Sequence, residues 1–447
     1  MKTLKSSLLI FLITCLSNLL MAQEEPAKEQ KKDKIKTGWN FGVLPAIAFD
    51  TDIGFKYGAL INLFHYGDGS QYPKYRHSLY FEWNHTTKGS GLTQLTYDSE
   101  YLIPGIRVSA EASQLTEQAL DFYGFNGYEA LYNPDLVNED EDDYISRVFY
   151  KMDRRLIRLK ADFQGKITGQ QFRWLAGIEY NHVKLGTVDI DKLNKGKDEE
   201  DMLPDTSLLY DHYVDWGVIP GDRSNGGTTT LLKVGMIYDT RDIEANPMKG
   251  IWTEAQLLIA PSFLGNNNFS YTRLAITHRQ YFTLSPEVLS FAYRLSYQTK
   301  LGGTMPFYML PFVYNTAPSL TRDGLGGAKT IRGVMRNRIV GEDFFYGNLE
   351  LRWKFMRTVL FNQNFYFALS GFLDGGIVTG KYKIDTSAVP TEYSDYFSAG
   401  KEKLHLGAGA GLHIAMNQNF IIAVDYGRAL DKNDGKSGLY IGLNFLY

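Results

Sequence analysis

Cysteine is almost missing. The 447 residues hold one, Cys15. Beyond it no disulfide is possible, so an exported chain of this sequence must be held by packing and backbone pairing alone. Long apolar runs are missing too. Past residue 22 nothing approaches the roughly eighteen consecutive apolar residues that a membrane-spanning helix requires. Proline is scarce (14 residues), and the formal charge of −3 gives no reason to expect a nucleic-acid partner. Catalytic signatures are also lacking. There is no Gly-x-Ser-x-Gly elbow and no His-Glu-x-x-His, and the eight histidines are scattered. His405 and His413 fall on one strand face, but about 26 Å apart, too far to share a metal. These absences predict no enzyme, no metal and no cofactor, with a site assembled from separate loops left as an alternative.

What is present begins with the leader. Lys2 and Lys5 precede an apolar stretch from Leu8 to Leu20, and Ala22 supplies a small residue before Gln23. That layout predicts a secretory signal peptide over 1–22. A lipoprotein reading at Cys15 fits less well, because the apolar run continues past it. Residues 23–37 are charged and have little to bury, and they are expected to form a disordered periplasmic tail. Tyr (30), Phe (27) and Gly (43) are abundant throughout the rest.

The remaining chain, 38–447, is written in alternation. Leu404, Leu406, Ala408, Ala410, Leu412 and Ile414 share one face, and His405, Gly407, Gly409, Gly411 and His413 the other. Period two is the signature of a strand, and here one face suits lipid and the other a crowded, polar interior. Phe345, Leu349, Leu351 and Trp353 likewise oppose Tyr346, Asn348, Glu350, Arg352 and Lys354. Phe365, Phe367, Leu369 and Leu373 oppose Tyr366, Ser370 and Asp374. Phe420, Ile422, Val424 and Tyr426 oppose Ala423 and Asp425, with Ile421 out of step. Leu439, Ile441, Leu443, Phe445 and Tyr447 oppose Tyr440, Gly442 and Asn444.

Reading back through the chain gives candidate strands at 38–49, 54–67, 75–87, 90–102, 105–114, 146–165, 171–186, 228–241, 250–262, 270–284, 288–300, 342–356, 364–378, 403–416, 419–430 and 437–447. The four longest connections, 115–145, 187–227, 301–341 and 379–402, then all fall on one side. Most of those on the other side are short. Long outer loops and short periplasmic turns describe an outer-membrane barrel. The fold class is therefore all-β, a transmembrane antiparallel barrel of about sixteen strands. A soluble two-layer β protein is the alternative, but it predicts more uniform loops.

Three stretches carry a family resemblance. Thr330-Ile331-Arg332-Gly333-Val334 resembles the Arg-Gly motif in the sixth outer loop of the BamA/TamA superfamily. Gly371-Phe372-Leu373-Asp374-Gly375-Gly376-Ile377 is similar to a later strand of that family. Tyr238-Asp239-Thr240-Arg241-Asp242, with Pro247 and Gly250, is similar to an earlier one. The likeness covers roughly 228–447. It implies that the long loop folds into the barrel and that Arg332 and Gly333 meet acids on the inner wall. Alternation alone already places Glu350 and Asp374 on that wall. Val334 replaces the usual aromatic residue, so a looser loop tip is expected. The resemblance also implies a short, Bacteroidota-like member lacking periplasmic repeats.

Tyr440, Gly442, Phe445 and Tyr447 fit the closing pattern of outer-membrane barrels, which in family terms is read by the barrel-assembly machinery. Gly42 and Pro45 weaken the first strand, because proline has no N–H to donate. The resemblance implies a first-to-last seam able to open, while a closed barrel with an irregular first strand is equally open at this point. The acidic runs Glu139–Asp143 and Asp198–Asp201 are either solvated or a place for calcium bridging lipopolysaccharide. The expected function is assistance in insertion, export or display of other proteins, with a periplasmic or outer-membrane protein partner. A passive pore is the alternative. Outer-membrane lipid and lipopolysaccharide are the expected surroundings.

Overall fold

The computed structural model describes residues 34–50, 54–266, 269–317, 321–397 and 399–447. The predicted signal peptide and most of the predicted tail lie outside them. In chain order the strands are β1 (Trp39–Pro45), β2 (Ala48–Asp50), β3 (Gly54–His65), β4 (His77–Thr86), β5 (Gly91–Ile103), β6 (Ile106–Asp121), β7 (Lys151–Thr168), β8 (Phe172–Gly186) and β9 (Gly226–Asp239). They continue with β10 (Gly250–Ala260), β11 (Tyr271–Ser285), β12 (Leu289–Gly303), β13 (Asp343–Leu360), β14 (Gln363–Gly380), β15 (His405–Met416), β16 (Phe420–Ala429) and β17 (Ser437–Leu443). Two short helices, α1 (Ile190–Asn194) and α2 (Leu209–Asp215), lie in one outer loop.

β1 and β2 both pair with β3 and are two halves of one interrupted strand, so the wall has sixteen staves. The interruption follows Pro45, and Ala46 N–H still donates to the Gly58 carbonyl at 2.9 Å. From β3 onward every strand pairs antiparallel with the next. Such up-and-down pairing leaves every inner strand with its backbone satisfied, which lipid demands.

The faces separate as alternation predicts. On β13, Leu349, Leu351 and Trp353 are exposed on the outside, while Asn348, Glu350 and Arg352 are buried within. Ile421 turns inward against Tyr366, Ala368, Ala415 and Phe445, which accounts for its being out of step.

Several boundaries differ from the sequence reading by a few residues, and two of them change the account. β6 runs on to Asp121, seven residues beyond the predicted end at 114. At the other end β17 stops at Leu443, not at 447, so Phe445 and Tyr447 are not lipid-facing. Asn444 takes a left-handed φ of 67° and turns the chain inward. There Arg352 Nη2 donates to the Tyr447 carbonyl at 2.8 Å. The same guanidinium lies 4.3 Å from the centre of the Phe445 ring, and Tyr447 Oη donates to the Ala292 carbonyl at 3.2 Å. A buried guanidinium needs acceptors and is attracted to ring faces. The last three residues supply both, and this outweighs three more ladder positions.

Among the described residues no ladder joins β17 to β1. The gap is filled from β16. Phe420 packs with Leu60, Phe64 and Tyr66, and Leu44 and Leu443 border the same cluster. Gly42 faces the Phe420 ring so closely that a Cβ there would collide with it. Residues 34–37, the end of the stretch read as a tail, run beside the β13–β14 turn. The amide of Asn364 donates to the Lys34 carbonyl at 2.9 Å and accepts from the Lys34 N–H at 2.9 Å.

On the outer side the long connections pack on one another. Phe122, Tyr213, Trp216, Phe307 and Phe312 belong to one apolar cluster spanning three loops, with Tyr393 and Phe397 of a fourth packed against it.

Candidate functional site

The connection between β12 and β13 carries the Arg-Gly motif and descends into the lumen. Its fold is set locally. Leu325 and Ile339 bridge across it. The Thr330 hydroxyl accepts from Gly326 N–H at 2.8 Å and donates to the Gly326 carbonyl at 3.1 Å. Leu325, Ile331, Val334 and Ile339 pack with Phe344 and Tyr346 of β13. Val334 is 1% exposed, so the smaller residue leaves the tip well packed. Asn348 on the wall donates to the Thr330 carbonyl at 2.6 Å and holds the motif in register.

Arg332 is fully buried at the bottom of this descent. Its Nε donates to Asp374 Oδ2 at 2.8 Å, its Nη2 to Asp374 Oδ1 at 3.2 Å, and its backbone N–H to Asp374 Oδ2 at 3.0 Å. Nη1 lies 2.9 Å from Glu350 Oε2 and donates to Asp425 Oδ2 at 3.1 Å. The guanidinium carbon sits 3.4 Å from the centre of the Phe372 ring. One planar cation is thus forked onto one carboxylate, touches two more and stacks on a ring. A lysine ammonium has no such geometry. Glu350 is shared with Arg352, 2.7 Å away, and Asp425 lies 3.4 Å from His413 Nε2.

Glycine makes this approach possible. Gly333 has φ 98°, and a Cβ there would meet the Arg428 backbone carbonyl carbon at 2.5 Å. A Cβ on Gly427 would lie 2.7 Å from the Arg332 carbonyl carbon, and one on Gly407 would collide with the Arg332 carbonyl. Loop backbone therefore rests directly on wall backbone, where any side chain would hold them apart.

The structure thus brings Arg332, Glu350 and Asp374 together, and Asp425 with them. Asp425 was legible as an inward residue, but no motif singled it out. Gly333 N–H donates to the Tyr440 hydroxyl at 2.9 Å, tying the motif to β17. Of the other closing-pattern residues, Gly442 lies on the same inward-facing alternation, and Phe445 and Tyr447 are inside the lumen.

The loop is braced elsewhere too. Asp323 pairs with Arg154 of β7 at 2.6 Å, and Arg336 with Glu117 of β6. Thr316 N–H donates to Glu254 of β10 at 2.7 Å, and Arg273 of β11 donates to the Phe312 carbonyl at 3.1 Å. Among the described residues it makes no hydrogen bond or ion pair with β1, β3, β4 or β5. A second buried network lies in the wall itself. There Arg158 meets Glu111 at 2.6 Å and Glu179 at 3.0 Å, and Lys233 meets Asp162 at 2.6 Å.

The third motif closes a periplasmic turn. Asp242 Oδ1 accepts from the N–H of Ile243 and of Met248, at 2.9 and 3.0 Å. Arg241 pairs with Asp239 at 2.6 Å and lies 3.9 Å from the Trp252 ring centre. Outside, the two acidic runs meet at Arg147, which pairs with Glu139 and donates to the Asp201 carbonyl at 2.9 Å.

The Omp85 superfamily domain matches residues 86–445. Comparison with curated proteins finds no match. Among solved structures, CdiB from Escherichia coli is similar at TM-score 0.53 and 9% identity, over 91% of this chain and 62% of that one. The chain thus spans less than two thirds of CdiB. BamA from Haemophilus ducreyi lacking POTRA domains 1–3 aligns at TM-score 0.48 and 15% identity, over 93% of this chain and 73% of that one. With its motifs on a sixteen-stave wall and the domain matched across most of its length, the chain belongs to the Omp85 superfamily of outer-membrane assembly and translocation barrels.

Proposed function

We propose that this barrel assists the insertion, export or display of other proteins at the outer membrane, with a periplasmic or outer-membrane protein partner. The carrying observation is the buried Arg332 contact with Asp374, Glu350 and Asp425, which keeps the long loop inside the barrel. A loop fixed in the bore obstructs free diffusion and sets the shape of the wall. That no ladder joins β17 to β1 among the described residues supports the same reading, because an unsatisfied backbone edge in lipid favours an incoming strand. In this role Arg332 and Gly333 act as a clasp, and Tyr440 anchors it to the last strand. The chain carries out no bond chemistry and takes no cofactor. Its surroundings are outer-membrane lipid and lipopolysaccharide, and its own insertion relies on the barrel-assembly machinery reading Tyr440, Gly442, Phe445 and Tyr447.

The test is photo-crosslinking in cells from positions Val43 and Ile441, on the two sides of the seam, followed by identification of the attached proteins. Recovery of the same outer-membrane or exported proteins from both sides supports the reading. Steady ion conductance in planar bilayers with no protein crosslinks sinks it in favour of a passive pore.

A further inference from the structure

Below the clasp the lumen encloses a cavity of about 440 Å³, within the range of small-molecule sites. Its wall is rich in cations. Four of them are committed to carboxylates. Arg107 meets Asp98 at 2.8 Å, Arg173 meets Glu100 at 3.1 Å, Arg241 meets Asp239 at 2.6 Å and Arg279 meets Glu254 at 2.8 Å. Three others, Arg294, Arg322 and Lys329, have no carboxylate within ion-pairing distance among the described residues.

Lys329 and Arg322 also make no side-chain hydrogen bond there. Arg294 spends its donors on Asn348 and on the carbonyls of Lys329 and Leu446. Lys329 lies within Coulombic range of both arginines. Of the acids in Coulombic range, Glu82 lines the same cavity and pairs with no cation among the described residues, while two others are engaged. Glu82 accepts from Tyr80 and Asn84. Glu117 and Asp323 hold Arg154 and Arg336. Like charges gathered in one cavity repel, and one carboxylate offsets three cations only in part. Arg294 is buried, Arg322 half-buried and Lys329 exposed, so the last two keep free donors open to the cavity.

We propose that this cavity binds a phosphate-bearing anion. The group that matches the free guanidinium fork of Arg322 and the ammonium of Lys329, with Arg294 adding charge behind them, is compact, doubly charged and rich in acceptors. Asn62 and Asn315 line the same space, and their amide groups supply neutral donors for the remaining oxygens. The far side of the cavity is apolar. Leu60, Leu443 and Ile441 line it at the unpaired seam, and Ile441 also faces outward. A phosphate borne by a membrane lipid reaches the cations from that side, and a soluble one from the periplasmic opening.

The test uses the full purified barrel. Native mass spectrometry compares phosphatidic acid with phosphatidylcholine of equal chain length. Heat resistance is titrated with inorganic phosphate against chloride at matched ionic strength. The expected result is phosphate-selective binding that weakens at least tenfold in the Arg322→Gln/Lys329→Gln double variant. It persists in Arg322→Lys/Lys329→Arg. A response to phosphatidic acid alone assigns a membrane source, and one to inorganic phosphate alone a soluble source. If the double variant fails to fold, Lys329→Gln carries the test, because that side chain makes no hydrogen bond. Equal binding by wild type and variant, or no response in either arm, overturns the proposal. Either result leaves the protein-assembly reading untouched.

Discussion

The phenol of Tyr128 lies flat on the imidazole of His405, with ring centres 3.8 Å apart and planes 4° from parallel. Tyr128 belongs to the loop after β6, and His405 opens β15. Asp434, before β17, accepts from the Tyr128 hydroxyl and lies 2.6 Å from His405 Nδ1. Three distant stretches of chain therefore meet at one buried point on the rim. Tyr128→Ala should release the loop without unfolding the wall. Protease added to proteoliposomes should cut within 122–150 at least tenfold faster than in wild type, and an unchanged rate would show that the other loop contacts suffice.

The clasp acids should not be equivalent. Asp374 accepts three hydrogen bonds from Arg332, and Asp425 accepts one. Removing one partner of a buried ion pair costs on the order of 3–5 kcal/mol. Arg332→Ala and Asp374→Ala should both lower the temperature at which the folded band disappears on semi-native gels, and Asp425→Asn should lower it less. Arg332→Lys should not restore it. Equal behaviour of all four variants would remove the clasp from the account.

Gly42 and Phe420 should show size coupling. Gly42→Val forces the ring from its place, and such overpacking costs about 1–3 kcal/mol. In the double variant with Phe420→Ala the added methyls have room, so heat resistance should recover in part. Simple additivity of the two losses would place Phe420 elsewhere in solution.

Acidification should loosen the outer cap. His212 in α2 stacks on Trp216, with ring centres 5.0 Å apart. Burial there holds its imidazole below the usual range, against the pull of Asp211 and Asp215. A histidine with a depressed folded pKa favours the packed state above its unfolded value, near 6.5, and loses that advantage as pH falls below it. The protection of the 209–216 amides, measured relative to the intrinsic exchange rate at each pH, should therefore fall between about pH 6.5 and 5, and His212→Gln should flatten the dependence.

The inward tail has its own test. In a Cys15→Ser background, Leu446→Cys should react slowly with a membrane-impermeant thiol reagent. Adding Arg352→Ala, which removes the donor to the Tyr447 carbonyl and the cation over Phe445, should raise the rate severalfold.

Strand positions and facing were readable because lipid outside and polar groups inside impose period two with few exceptions. Glu350, Asp374 and Asp425 announced their side by spacing alone. The motif resemblance added that Arg332 would reach them. The end of β17 was not readable. Phe445 and Tyr447 continue the alternation perfectly, and only the guanidiniums of Arg294 and Arg352, placed by distant strands, draw them inward. The uncommitted cations of the cavity were hidden for the same reason: whether Arg322 or Lys329 finds a carboxylate depends on what distant strands bring near.

The long loop's bracing divides the cylinder into two mechanical parts. From β6 round to β17 the staves are bolted to a common internal frame. β1 to β5 take no such bolt and are held at their two margins, by the β5–β6 ladder on one side and on the other by Phe420 and by Asn419, which donates to the Tyr66 hydroxyl at 3.0 Å and to the Pro73 carbonyl at 2.6 Å. Any widening of the bore on that side must therefore first part the contacts of Phe420 and Asn419, so the seam's side chains act as its latch.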